Sequence, residues 1–285
     1  MVVDAHTHVF ARLSPRFPRE THELFPAEAE APAEALLAEM DRTGVKRAVL
    51  VPLSHHDEYL RDVLARHPGR FVAIGVAPPG PPDAGAYRRR REAAALQGLR
   101  LFRLGAGPVA RAADLESFAL LAELERSGGK LWFYGGRDQM ELLELALGEL
   151  PALTVVLNHL GYWPGRFEPD AFGRPRFLDP YAGDNLAAVT ALARFPNVLV
   201  LCTGLYAFAH EPCPYPDLRP VTAGLLDAYG PERLLVGSDF PWIAAEPGYA
   251  ATLAALDAHF SGLADDERAA VRGGNAARIF DLGGR

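Results

Sequence analysis

An α/β fold, a (β/α)8 TIM barrel forming one domain over residues 1–285 with long loops at its C-terminal mouth, is what this sequence predicts. Three observations predict it. Eight short apolar runs alternate with amphipathic stretches from one end of the chain to the other. The runs are continuous rather than alternating, as expected of parallel strands covered on the outside. No change of composition divides the 285 residues, and barrels of about 250 residues routinely form one domain. A doubly wound sheet is the rival arrangement.

Along the chain, strands are expected at residues 2–5, 47–51, 71–77, 99–102, 130–134, 153–158, 198–202 and 234–237. Between them, residues 32–42, 58–66, 115–125, 139–147, 186–193 and 221–229 carry apolar side chains at i, i+3 and i+4, the stripe of a helix with one covered face. Residues 249–260 repeat the pattern after the last strand. The run Arg88-Arg89-Arg90-Arg91 reads as a solvated helix face. Returns from helix to strand are short, as in Arg42-Thr43-Gly44. Residues 9–32, 160–182 and 203–216, by contrast, are long, rich in Pro, Gly and aromatic residues, and each follows a strand. In a barrel such loops crowd the C-terminal mouth, where sites form.

Hydrophobic residues make up 49% of the chain, ample for a large core. With 29 basic and 36 acidic residues the formal charge is −7, which argues against general nucleic-acid binding and leaves a small molecule as the expected partner. No apolar run approaches the roughly 18 residues of a membrane span, and no basic-then-apolar leader precedes Asp4. A soluble cytoplasmic protein is expected, with homo-oligomerisation left open. Cys202 and Cys213 do not suggest a disulfide framework, and Cys202 ends an apolar strand as a small core residue would.

The residues that could carry chemistry fall at strand ends. His6 and His8 stand two apart on the first strand, so both point one way, roughly 6–7 Å apart along the chain. They could converge on one cation or one substrate oxygen. Asp4 shares their face and is expected to brace an imidazole. His159 ends the sixth strand, where Gly161 allows a sharp turn, and Asp239 tips the last. Asp239 would ligate a metal or take a proton from an attacking water. Arg103 is either a bidentate substrate clamp or one half of a salt bridge at the rim. Tyr134 would donate a hydrogen bond at the mouth, and His210, on a mouth loop, is either a substrate contact or a solvated loop residue.

Together Asp4-Ala5-His6-Thr7-His8, Asn158-His159-Leu160-Gly161, Gly237-Ser238-Asp239-Phe240-Pro241 and Gly274-Asn275-Ala276-Ala277-Arg278-Ile279-Phe280 resemble the amidohydrolase superfamily, in its amidohydrolase-related "family 2" branch. The order is the family's and spans the chain. The resemblance implies a barrel whose first-strand histidines and last-strand aspartate surround a metal or an activated water. Two-metal members bridge their ions by a carboxylated lysine on a middle strand; of the only lysines here, Lys130 begins the fifth strand and Lys46 precedes the second, both at the end remote from the mouth. Decarboxylases of the branch carry a histidine where this chain has Leu131-Trp132-Phe133-Tyr134-Gly135-Gly136. The fifth strand, with Gln139-Met140-Glu141-Leu142-Leu143 after it, looks more like the lactonase group, which includes sugar lactonases and 2-pyrone-4,6-dicarboxylate lactonase.

The resemblance therefore implies a hydrolase opening a lactone or related cyclic ester. Asp239 and His159 would be catalytic. His6, His8, His159 and Asp239 would hold one divalent ion, zinc foremost, with a metal-free site as the alternative. Arg103, Tyr134 and His210 would contact substrate. The runner-up is a metal-dependent decarboxylase of an aromatic or unsaturated acid; a non-catalytic barrel is the third reading.

Overall fold

In the computed structural model, which describes residues 1–161, 163–180 and 184–282, ten strands follow one another. They are β1 (Val3–Thr7), β2 (Arg47–Leu50), β3 (Phe71–Val76), β4 (Leu96–Leu101), β5 (Lys130–Phe133), β6 (Thr154–Leu157), the short pair β7 (Phe167–Pro169) and β8 (Pro175–Phe177), then β9 (Val198–Cys202) and β10 (Leu234–Val236). All but β7 and β8 form one parallel sheet in the order β1-β2-β3-β4-β5-β6-β9-β10. Past the end of β10 the sheet meets its own beginning: Asp239 N donates to His6 O at 3.0 Å and His8 N to Phe240 O at 2.6 Å. The result is a nearly closed (β/α)8 barrel. Residues 162, 181 and 182 of the long loop after β6, and residues 283–285 of the domain, lie outside the described residues.

Helices fill the returns at Ala33–Thr43, Glu58–Arg66, Ala84–Ala94, Phe118–Arg126, Arg137–Glu149, Asn185–Ala191, Arg219–Tyr229 and Tyr249–His259. Leu36 and Met40 of the first are fully buried. Gly44 ends that helix at φ 77°, a left-handed turn that glycine adopts without steric cost. The arginine run lies on Ala84–Ala94, but Arg90 is not merely solvated. It grips Asp57 through two bonds of 2.7 and 2.9 Å, tying this helix to the preceding one. No helix among the described residues is long and apolar enough to cross a membrane.

The barrel interior is filled by its own cluster, including Val3, Val49, Ile74, Trp132, Val156, Leu201 and Leu235. Burying each such aliphatic side chain contributes about 1.5–3 kcal/mol. The C-terminal Gly-Asn-Ala-Ala-Arg stretch closes the bottom. Asn275 Nδ2 donates to Pro231 O and Leu234 O at 2.7 and 2.8 Å, and Phe280 packs on Trp132 with centroids 5.8 Å apart. Lys130 sits down there too, its ammonium over the Phe280 ring.

Two expectations shift. β4 begins at Leu96, three residues early, because Gly98 lets it lie flush on β5; a Cβ there would meet Lys130 O at 2.2 Å. The long loop after β6 is not structureless, since β7 and β8 pair antiparallel within it.

Candidate active site

A change of register between Asp4 and Thr7 breaks the strict alternation of β1. Val3 and Ala5 face the barrel interior, and His6 and His8 follow on the same side. At the end of β6 the chain turns through three residues of positive φ, His159 (47°), Leu160 (62°) and Gly161 (104°). Only glycine fits the last, where a Cβ would lie 2.5 Å from Val189. Asp239 also has positive φ, at 66°. Such conformations in non-glycine residues persist only where surrounding structure enforces them.

Those turns bring the four predicted groups together. His8 Nε2 lies 3.0 Å from Asp239 Oδ1, and His6 Nε2 lies 3.6 Å from the same oxygen. The ring of His6 sits 4.8 Å from those of His8 and of His159. All four residues are at least nine-tenths buried. Burial would raise the Asp239 carboxyl, but His159, His8 and the Tyr206 hydroxyl outweigh it and hold the group below the usual carboxylate range. Burial also pushes His159 down to about 4, against the pull of Asp239, so at neutral pH its ring is uncharged.

Hydrogen bonds fix which nitrogen of each ring carries a proton. The Val51 carbonyl can only accept, so His8 donates to it from Nδ1 at 2.6 Å; the ionised Asp239 Oδ1, 3.0 Å from Nε2, can also only accept, so this ring holds it by carrying a second proton there. Indole N–H can only donate, so Trp132 Nε1 gives its proton to His6 Nδ1 at 3.2 Å. Neutral His6 therefore carries its own proton on Nε2, a buried atom with no hydrogen-bond partner among the described residues, Asp239 Oδ1 lying 3.6 Å away. As a metal centre, His6, His159 and Asp239 fit in number and spacing, with ligand atoms all within 4.8 Å of one another. Two imidazoles and a carboxylate suit a borderline divalent ion. The Trp132 bond works against such an ion at His6, since binding must displace the Nε2 proton. Trp132→Phe removes the donor and is expected to tighten zinc binding, measured by calorimetry, by part of the roughly 10–100-fold that outer partners command. Unchanged or weaker binding would show that the indole does not govern this ring.

Asp4 does not brace an imidazole. Its side chain leaves the opposite face of β1, where Oδ1 accepts from Ser238 N at 2.8 Å and Oδ2 from Tyr249 Oη at 2.7 Å. It pins the last strand's tip to the first strand. Asp4→Ala leaves both donors buried and unpaired, and a loss of about 2–4 kcal/mol is expected in denaturant unfolding. A loss below about 0.5 kcal/mol would remove Asp4 from that role.

Above these groups opens a cavity of about 340 Å³ that His8, His159, Tyr134 and Asp239 help to line. Tyr134 is where it was expected, its ring 4.5 Å from that of His159. Arg103 is not. Its Nε donates to Gly105 O at 2.8 Å, and its exposed guanidinium faces Glu116 across a neighbouring depression. Along β4 the residue facing the mouth is Arg100, and Phe102 two residues on lines the same cavity. His210 is exposed and borders a separate outer hollow.

Three contributors escaped the sequence reading. Arg100 was detectable by carrying alternation along Leu99-Arg100-Leu101-Phe102-Arg103. Tyr206, in the short helix Leu205–Phe208, donates its hydroxyl to Asp239 Oδ2 at 2.7 Å; its only signal is a place on a loop that follows a strand. Trp132 reads in sequence as core, which it also is.

A family model described as Amidohydrolase matches residues 3–282. An L-fucono-1,5-lactonase from Burkholderia multivorans is 39% identical over 184 residues, a match covering 60% of this chain and 60% of that protein. The chain thus spans about 60% of the length of that curated relative. Among solved structures, an amidohydrolase from Burkholderia multivorans with bound zinc superposes at TM-score 0.75 with 22% identity, covering 99% of each chain. A protein from Pseudomonas putida described as a 2-pyrone-4,6-dicarboxylic acid hydrolase does so at TM-score 0.72 with 21% identity, covering 100% of this chain and 98% of that one. At these identities the structural likeness bears on the fold.

Proposed function

The chain belongs to the amidohydrolase family, and on that premise we propose that it hydrolyses a lactone or related cyclic ester. The observation that carries the reading is Asp239: an ionised carboxylate, buried, held on both oxygens, at the floor of an open cavity. Tyr206 on Oδ2 and His8 on Oδ1 fix its plane. A water beside it would lose a proton to the carboxylate as its oxygen joins the lactone carbonyl carbon. Collapse of the tetrahedral adduct breaks the ring carbon–oxygen bond, and Asp239 returns the proton to the departing alkoxide. The product is one hydroxy acid, so atoms and charge balance.

The developing oxyanion needs a donor already in place. His6, fully buried beneath the cavity lining, offers one in the Nε2–H that Trp132 keeps protonated and that has no hydrogen-bond partner among the described residues. His159, neutral through burial, adds an imidazole without adding a competing charge. His6, His159 and Asp239 would hold a divalent ion, zinc foremost, and the chemistry it would supply is Lewis-acid polarisation of a carbonyl.

The test is turnover of a lactone panel, followed by proton release on ring opening, beside a panel of aromatic carboxylic acids followed by carbon dioxide release. Ring opening with kcat/KM at or above about 10⁴ M⁻¹ s⁻¹ supports the proposal. Carbon dioxide release with no lactone opened would overturn it in favour of decarboxylation.

A further inference from the structure

We propose that the substrate is a lactone with a compact apolar body and a single carboxylate, and that Arg100 receives that carboxylate. The inference rests on the lactonase reading and narrows it.

Other well-covered arginines of this chain have partners. Arg90 is held by Asp57, Arg174 by Asp170 and the Glu246 carbonyl, and Arg233 by the carbonyls of Tyr229, Ala193 and Phe195. Arg100 is the exception. It is only 5% exposed and lines the cavity with His8, His159 and Asp239, yet no carboxylate among the described residues pairs with it and its Nε has no hydrogen-bond partner. Its guanidinium lies instead over the rings of Phe102 and Tyr134, at 4.9 and 5.1 Å from their centroids. Rings hold such a cation in place but leave its in-plane N–H groups unused. A buried guanidinium with idle donors, flanked by flat walls, suits the planar two-oxygen fork of a carboxylate.

Among the described residues Arg100 is also the one arginine or lysine of the lining. Asp239, ionised in the same lining, already acts on this cation from beyond ion-pair distance, so the site has room for one further carboxylate, and a second would be desolvated without a partner. The remaining wall is apolar, with Phe25, Phe102, Trp163, Phe177, Phe208 and Trp242 prominent. A polyhydroxylated sugar ring would surrender its water there and find few polar groups in exchange. The volume of about 340 Å³ stands near the lower end of the roughly 300–1,000 Å³ of small-molecule sites, which suits one or two fused rings.

The experiment compares kcat/KM for four lactones: one aryl-fused skeleton bearing no, one or two carboxylates, and a neutral sugar lactone. The monocarboxylate is expected to exceed each of the others at least tenfold. In Arg100→Met its advantage over the uncharged skeleton should fall to near unity, with Arg100→Lys between. Equal or better turnover of the uncharged skeleton, the dicarboxylate or the sugar lactone overturns the substrate class while leaving hydrolysis standing. A cyclic ether carrying the same aryl group and carboxylate, which cannot be hydrolysed, separates the two ideas by calorimetry. If it binds in an Arg100-dependent way while no lactone is opened, the hydrolase reading fails and the ligand class stands. If Arg100→Met binds it as tightly as the parent protein, Arg100 is not the receptor.

Discussion

Asp239→Asn is expected to lower kcat on a confirmed lactone by at least the roughly 10²–10⁴-fold that a positioned acid–base group contributes, and to leave the fold intact. The substitution changes little else. Asn has the same shape, and its amide oxygen can still accept from the Tyr206 hydroxyl that now meets Oδ2. It also tolerates the φ of 66° at this position, since asparagine is among the few residues at ease in the left-handed region. What it cannot do is accept a proton from water. The loss should therefore fall on kcat with KM moved far less, and the unfolding midpoint should stay within a few degrees. Asp239→Ala is the poorer probe, because it strands Tyr206 and the imidazoles without a partner. Near-normal kcat in the asparagine variant would remove this carboxylate from proton transfer.

How far the sequence discloses the site follows from how local each signal is. The barrel is legible because every strand and helix repeats its pattern within a dozen residues, and because parallel pairing of buried apolar runs leaves few topologies. His6, His8, His159 and Asp239 are legible because each stands where an apolar run stops. Their meeting needs only closure, which the bonds from Asp239 N to His6 O and His8 N to Phe240 O provide.

Where the reading fails, position along a strand is not enough. On β4 the arginine where the apolar run stops, Arg103, pairs with Glu116 at the rim, while Arg100 within the run lines the cavity; position at a strand end does not tell the two apart. In β1 a register change separates Asp4 from the histidines it was expected to serve. Asp4 spends its carboxylate on Ser238 and Tyr249, partners 234 and 245 residues away. Trp132 and Tyr206 were invisible for a related reason. An indole that chooses the tautomer of His6, and a phenol that holds Asp239, act across 126 and 33 residues, and no local pattern encodes either bond.

Gly204→Ala should cost at least about 100-fold in kcat/KM, the scale on which a displacement of about 1 Å is felt in catalysis. The residue follows β9 at φ 66°, where an alanine costs about 1–2 kcal/mol in backbone strain. Strain alone would leave the chemistry untouched. The larger effect is contact, because a Cβ here would lie 2.6 Å from His159 Nδ1 and 3.3 Å from Asp239 Oδ2. Neither neighbour is the free end of a flexible side chain. His159 is fixed by its turn and by a hydrogen bond to the Thr203 backbone, Asp239 by Tyr206 and His8. One methyl group must therefore push the imidazole and the carboxylate out of register together. Gly44→Ala supplies the control: at φ 77° it bears similar strain, and nothing lies within 4 Å of its Cβ. It should lower the unfolding midpoint by a few degrees and keep full activity. Equal activity in the two variants would mean that Gly204 serves the turn alone and that His159 and Asp239 need no such clearance.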